Sequence, residues 1–394
     1  MNITEKDEKL IIGLEGRIDT YNSQTVDKEL TEALEAHPGL TPEFDASKLE
    51  YISSSGLRVL LKARQGSDES IAITDVSNDV YDIFDMTGFT DLFDVSKRLR
   101  RIDVEGCELI GQGGYGSVYR IDEETIVKVY KSNIPKPMLD RERALAQKAF
   151  KLGIPTAISY DVVKCSDAYG IVFELINART LAEIIAEDPD KVTSYAYRCA
   201  NVLKEMHEVK VKPGELPDSR KKIIEWAESC KEYLTPEEVD LILDYLNNKV
   251  PDGNSFLHGD FHCKNIMESN GELILIDIGD ATMGHPVFDL AQILFSQTIM
   301  PHTTAPERAT SLLGFPPETA QKFWGVLAST YFGTQDPERI KEISMMLTPL
   351  SLCGLGYHAM RYAVNDPVVM ERVLNNLVRG RILPALKDPP KIEF

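Results

Sequence analysis

With 394 residues and a mass of 44.1 kDa, the chain exceeds the roughly 250–300 residues at which a single hydrophobic core stops growing, so it holds at least two domains. Its formal charge of -19 and sequence pI near 4.9 exclude a general nucleic-acid or anionic-membrane binder, because phosphate surfaces are held by clustered Lys and Arg. Six scattered cysteines contain no C-x-x-C pair, which predicts reduced thiols; the N-terminus "MNITEKDEKLIIGLEG" lacks a basic stretch followed by an apolar core, and no eighteen apolar residues run together. A cytoplasmic protein is expected.

Residues 1–98 alternate short apolar strands with helical patterns. "KLIIGLEGRID" reads as a strand, Val26, Leu30 and Leu34 share a helical face, and "EFDAS" reads as a strand ending at the acidic Asp45. Leu57, Leu60 and Leu61 then fall on one helical face, followed by the strand "SIAITDV" and the segment "VYDIFDMTGFTDLF". Strand and helix meet at "YISSSGL", where a serine hydroxyl is placed to cap the first helical turn. A phosphate on a serine there is also tolerated, because it faces amide donors and the positive end of the helix dipole.

On "GRIDTYNS" (16–23), Asp45, "SSG" (54–56) and "MTGFTDLFDV" (86–95), this first domain resembles the STAS family, the anti-sigma-factor antagonist fold. The resemblance implies an α/β module that docks a protein partner, with Ser55 as the phosphoacceptor. Ser53 stands where that family often carries Asp. Residues 99–106 form a linker, and the run Lys97, Arg98, Arg100 and Arg101 reads as a solvated stretch with neither nucleic acid nor membrane as partner.

"ELIGQGGYGSVYRIDEETIVKVY" (108–130) carries Gly111, Gly113, Gly116 and Val118. A dinucleotide fold needs a helix to start at such a turn, yet "SVYRI", the polar turn "DEET" and "IVKVY" are strand-like, which makes a sheet meander. Glycines in a loop between antiparallel strands let the backbone approach phosphates that a Cβ excludes. Lys128 on the third strand then reaches the phosphates as a point charge, held by a helical carboxylate: Glu142, with Asp140 as its rival. "YGIVFELI" leads into a hinge whose backbone between Glu174 and Ile176 is placed to meet an adenine edge.

"HGDFHCKN" (258–265) admits two readings. His258, Asp260, His262 and Cys263 alternate as metal ligands do, while His258, Asp260 and Asn265 have the spacing of a phosphotransferase loop. Zinc needs several soft or borderline ligands around one ion, and no other His or Cys cluster lies near in sequence. Phosphoryl transfer needs a carboxylate to orient the attacking hydroxyl, which Asp260 supplies, and hard oxygens for Mg²⁺, which Asn265 and Asp277 supply across a short hairpin.

With "GQGGYGSV", Lys128, Glu142, "HGDFHCKN", "IDIGDA" and "FDLA", the run from 108 to about 290 resembles the protein-kinase-like superfamily, in its aminoglycoside phosphotransferase and choline kinase branch. The resemblance implies an α+β bilobal fold with a small antiparallel-sheet lobe (107–177) and a larger helical lobe (178–394). It implies ATP and Mg²⁺ as nucleotide and metal, Asp260 as catalytic base, Asn265 and Asp277 as metal ligands, and Lys128 with Glu142 at the phosphates. Asp280 is placed near the metal, His258 beneath the loop, and Asp289 as the buried carboxylate that steadies it. His262, where protein kinases typically carry Lys, and the lack of an Ala-Pro-Glu segment point to the hydroxyl of a small molecule as acceptor. The acidic composition suggests a cationic one, read by helices within 213–250 and 291–380. Two other readings remain open: a serine protein kinase acting on Ser55 or on a partner's STAS domain, and a nucleotide-binding regulator without turnover.

Overall fold

The computed structural model describes residues 2–6, 8–64, 70–303, 306–363 and 366–394. The chain divides into two compact units, Met1–Asp103 and Val104–Phe394.

In the first unit β1 (Asn2–Lys6) pairs antiparallel with β2 (Lys9–Ile18), and β2 continues in parallel to β3 (Thr41–Ile52), β4 (Ala72–Val76) and β5 (Asp94–Lys97). The parallel strands are joined through α1 (Ser23–Ala36), α2 (Ser54–Arg64) and α3 (Asn78–Met86), as parallel pairing demands. Leu10, Ile12 and Leu14 alternate into the core from β2 while Lys9 and Glu15 point out, the period-2 pattern of a strand with one buried face. Asp45 lies within β3 and not at a strand end: the strand runs on through Leu49 and Ile52, which fill the same core.

A serine of "YISSSGL" does meet the first turn of α2. Ser53 Oγ accepts the N–H groups of Ser55 (3.2 Å) and Gly56 (3.4 Å), so Ser53 satisfies the first-turn donors and Ser55, half-buried in that turn, does not serve as the cap.

The second unit begins with a five-stranded antiparallel sheet in the order β6-β7-β8-β10-β9: β6 (Glu108–Gln112), β7 (Gly116–Arg120), β8 (Thr125–Tyr130), β9 (Ser159–Cys165) and β10 (Ala168–Glu174). One helix, α4 (Lys136–Lys151), crosses between β8 and β9. After the short β11 (Arg179–Thr180), Thr180 and Glu183 form a reciprocal cap on α5 (Leu181–Glu187). Then come α6 (Val192–Glu208), α7 (Ser219–Ser229) and α8 (Pro236–Asn248).

Four short strands follow: β12 (Ser255–Leu257), β13 (Ile266–Ser269), β14 (Glu272–Leu275) and β15 (Thr282–Gly284). β13 and β14 are joined by Asn270-Gly271, both at positive φ (51° and 86°), the dipeptide that a tight two-residue hairpin favours. The rest is helical: α9 (Val287–Leu294), a π-helical stretch Phe295–Ile299, α10 (Met300–Thr303), α11 (Pro306–Leu313), α12 (Pro317–Phe332), α13 (Pro337–Ala363) and the segment 367–387. Leu203 and Met206 of α6, Leu290 and Ile293 of α9 and Leu327 of α12 share one core, on which the loop between β12 and β13 rests. Among the described residues no helix is long and apolar enough to cross a membrane.

Candidate active site

The glycine turn opens straight into β7, so the chain returns as an antiparallel strand and no helix starts there. Gly116 is constrained by contact: a Cβ on it would lie 2.0 Å from the carbonyl oxygen of Val129. Gly111, Val118 and Lys128 stand opposite one another across β6, β7 and β8; directly opposed side chains share a face of a sheet, which carries Val118 and Lys128 together to the side of the turn. Glu174 ends β10, its N–H donating to the Ile158 carbonyl at 2.9 Å, and the Ile176 carbonyl accepts from Ala178 at 2.9 Å.

Lys128 Nζ donates to Glu142 Oε1 at 3.0 Å and to Asp277 Oδ1 at 2.7 Å. Burial alone would lower the pKa of Lys128, but the two carboxylates outweigh it and hold the ammonium above its ordinary value. Asp140 does not compete, because it pairs with Lys136 one helical turn away. Tyr130, two residues along the same strand face, donates its hydroxyl to Glu142 Oε1 at 2.5 Å, and burial followed by the Glu142 charge raises its pKa. Tyr130 was not picked out by the sequence, although a Lys-x-Tyr spacing on a strand puts both side chains on one face.

The 258–265 loop is clamped from α9 at two points. Asp289, 1% exposed, accepts the N–H of His258 (2.9 Å) and of Gly259 (2.9 Å). Gln292, three residues on and so on the same helical face, donates Nε2 to Asp260 Oδ1 at 2.9 Å. Asp289 also meets His207 Nε2 at 3.1 Å, and His207 Nδ1 meets the Tyr331 hydroxyl at 2.8 Å. Burial pushes the Asp289 carboxyl up, but these partners more than reverse it and its pKa lies below the usual carboxylate value. Gly259 sits at φ +79°, and a Cβ there would stand 2.2 Å from the Asp280 carbonyl oxygen. His207 was missed as an isolated histidine; its signal was a polar residue on the apolar stripe of α6, four positions after Leu203 and eight after Cys199.

Asp260 Oδ2 accepts from Asn265 Nδ2 at 3.1 Å and lies 3.4 Å from His262 Nε2. Burial raises its pKa, while His262 first, then His258 and His358, bring it down to about 2, so the carboxylate is ionised at every working pH. His258 is fully buried, accepts the Asp260 N–H at 3.2 Å, and is driven toward its neutral form by desolvation. Cys263 is buried with its thiol pKa raised by desolvation, and a protonated thiol is a poor metal ligand. His258 and His262 are thus both turned to Asp260, one to its N–H and one to its carboxylate, while Cys263 is packed in the core.

The β13–β14 hairpin returns the chain so that the Ile276 N–H donates to the Asn265 carbonyl at 2.9 Å, bringing Asn265 beside the segment that carries Asp277. Asp277 holds φ +61°, a left-handed conformation uncommon for a side-chain-bearing residue and enriched at functional sites. The Asn265 nitrogen is engaged by Asp260, which leaves its amide oxygen over, and an amide oxygen and a carboxylate such as that of Asp277 are hard-oxygen groups of the kind that suit Mg²⁺. Asp280 is held by Lys222 Nζ at 2.7 Å, so the structure gives it a lysine as its partner. A cavity of about 470 Å³ runs from Tyr115 of the glycine turn past Asp260 and His262 to Leu350 and His358 of α13.

The phosphotransferase enzyme family matches residues 106–315, and the STAS domain matches residues 1–102. No curated protein matches the chain. Solved structures similar to it include an ADP-bound aminoglycoside phosphotransferase (17% identity, TM-score 0.47, covering 71% of this chain and 93% of that one). Another is choline kinase from Streptococcus pneumoniae (18%, 0.42, 71% and 93%). A third is an amicoumacin kinase in complex with AMP-PNP and Ca²⁺ (15%, 0.44, 75% and 92%).

Proposed function

Since the chain belongs to the phosphotransferase enzyme family, whose match spans residues 106–315 behind a STAS domain, and is a hydroxyl-acceptor phosphotransferase, we propose that it moves the γ-phosphoryl group of ATP to a small molecule bound in the cavity beside Asp260. The observation that carries this reading is the Asp260 carboxylate, fixed by Gln292 and Asn265 at the cavity wall. Lys128, Glu142 and Asp277 form the phosphate end, with Gly111, Gly113, Gly116 and Val118 covering the nucleotide and the 174–176 backbone meeting its base. Asn265 and Asp277 would hold Mg²⁺, which when bound neutralises charge on the β- and γ-phosphates.

A carboxylate with a pKa of about 2 is too weak a base to strip a neutral alcohol before attack. Asp260 therefore orients the hydroxyl and takes its proton late, as the bond from the acceptor oxygen to the γ-phosphorus forms and the bond to the β–γ bridging oxygen breaks; this suits the loose transition state of phosphoryl transfer. Lys128 meets the charge that grows on the leaving ADP. We place the enzyme in the cytoplasm, where ATP and reduced thiols coexist. The STAS domain serves as its regulatory or partner-docking module, with Ser55, released from capping by Ser53, as the candidate phosphoacceptor.

The test is ADP release across an acceptor panel with full-length protein and Asp260→Asn as the blank. Loss of turnover by about 10²- to 10⁴-fold with unchanged MgATP binding is expected. Equal turnover by both proteins on every acceptor would refute the assignment.

A further inference from the structure

The acceptor end of the cavity has a chemical bias that composition does not show. Three acids line it, Asp260, Asp280 and Asp289, and each is engaged. Asp260 holds Gln292 and Asn265, Asp280 holds Lys222 at 2.7 Å, and Asp289 is spent on His207 and the loop amides. Asp280 stands on Lys222, Asp289 meets His207 at 3.1 Å and Asp260 lies 3.4 Å from His262 Nε2, so each acid already faces a basic side chain and attracts an entering ammonium ion less than an unaccompanied carboxylate would. Ile223, Phe288, Phe295, Leu313, Leu350 and Leu355 make much of the remaining wall.

Two polar atoms on that wall lack partners. Gln292 Oε1 and Gln297 Oε1 are buried without a hydrogen-bond partner among the described residues. Gln292 Nε2 donates to Asp260 Oδ1 at 2.9 Å, which leaves the amide oxygen facing away from that carboxylate. Gln297 lies within the π-helical stretch Phe295–Ile299, and such turns recur at functional sites. Both glutamines line the cavity, and an unmet buried acceptor there calls for a donor on the ligand.

We propose that the acceptor is an uncharged molecule with an apolar body, carrying, beside the hydroxyl that is phosphorylated, a second hydroxyl or N–H donor that Gln292 Oε1 reads while Gln292 Nε2 positions Asp260. This rests on the phosphotransferase reading and replaces the cationic acceptor that the net charge suggested. A cavity of about 470 Å³ suits a ligand of drug-like size.

The experiment uses full-length protein, MgATP, and two acceptor sets of matched size: aminoglycosides and choline as cations, and nucleosides, phenolic glycosides and neutral polyketide alcohols as uncharged compounds. Calorimetry of MgATP and acceptor-free ADP release are recorded alongside. The expected result is a neutral acceptor whose kcat/KM exceeds that of every cation by at least about 100-fold, the scale set by leaving one or more buried polar groups unpaired. MgATP binding with turnover best on a cation, or with no neutral acceptor used, overturns the inference and leaves the phosphotransferase reading standing; absence of both MgATP binding and ADP release defeats that reading as well. For the best neutral acceptor, wild type should prefer it to the analogue lacking the second donor by about 100-fold in kcat/KM, and Gln292→Met should shrink that preference to within about threefold. A merely structural role for Gln292 lowers both rates together, and an unchanged preference overturns the assignment of Gln292.

Discussion

Replacing Asp289 by Asn isolates the group that holds the 258–265 loop. In the native structure Asp289 Oδ2 receives His258 N–H at 2.9 Å and meets His207 Nε2 at 3.1 Å, while Oδ1 receives Gly259 N–H at 2.9 Å. An asparagine keeps the volume but has one acceptor oxygen. If that oxygen serves His258 and His207, the new NH₂ confronts the Gly259 N–H, donor against donor. An unmet buried donor costs about 1–3 kcal/mol, and the remaining bonds lose roughly 1 kcal/mol in total with the charge, giving about 3 kcal/mol.

The assay is urea unfolding of the full chain followed by tryptophan fluorescence. The chain has two tryptophans, Trp226 and Trp324, both buried in the second unit, so the signal reports that unit. With a slope of about 3 kcal/mol per M, the midpoint should fall by about 1 M. The native pKa of Asp289 is depressed, so its contribution is complete above the unfolded carboxyl value of about 3.9 and is lost as pH falls through the native value. The gap between wild type and Asp289→Asn should therefore narrow below about pH 4. A midpoint within about 0.2 M of wild type at pH 7 would show that the loop amides are not held by this carboxylate.

His258 supplies a second pH test: desolvation lowers its native pKa, so below about pH 6.5 the unfolded chain takes up a proton that the native chain refuses, and stability should rise with pH up to about 6.5 and then level. In His258→Gln that slope should weaken, and an identical pH profile for both proteins counts against a neutral buried His258. In the first unit Ser53→Ala should cost about 1 kcal/mol and Ser55→Ala a few tenths, measured by amide exchange along α2; the reverse order would return the cap to Ser55.

Chemistry-bearing residues at fixed spacing were legible from the sequence. The glycine turn followed by β-branched alternation, the Asp260 and Asn265 pair, and Asp277 at the end of an apolar strand all express local requirements: a sheet meander, a loop and a hairpin. Patterns of this kind survive in one dimension because strand and helix periods place side chains within a few residues of each other. The choice of Glu142 over Asp140 needed the structure, since the two differ by two positions on one helix and Asp140 is taken by Lys136. The cap at Ser53 was hidden among three adjacent serines, any of which suits a first turn.

Residues brought together from distant elements had no one-dimensional signature. His207 of α6 reaches Asp289 across 82 positions, and Tyr331 of α12 reaches His207 across 124. Lys222 reaches Asp280 across 58. Net charge suggested a cationic acceptor because it sums over the whole surface, whereas the cavity is ruled by which carboxylates still lack a partner, and that is settled by packing. The sequence by itself determined two domains and their fold classes, and it carried the motif spacings on which the phosphoryl-transfer reading rests. Tertiary structure alone decided what holds the catalytic loop and what the cavity asks of its ligand, because both depend on hydrogen-bond partners that meet only when the helical lobe closes around one core.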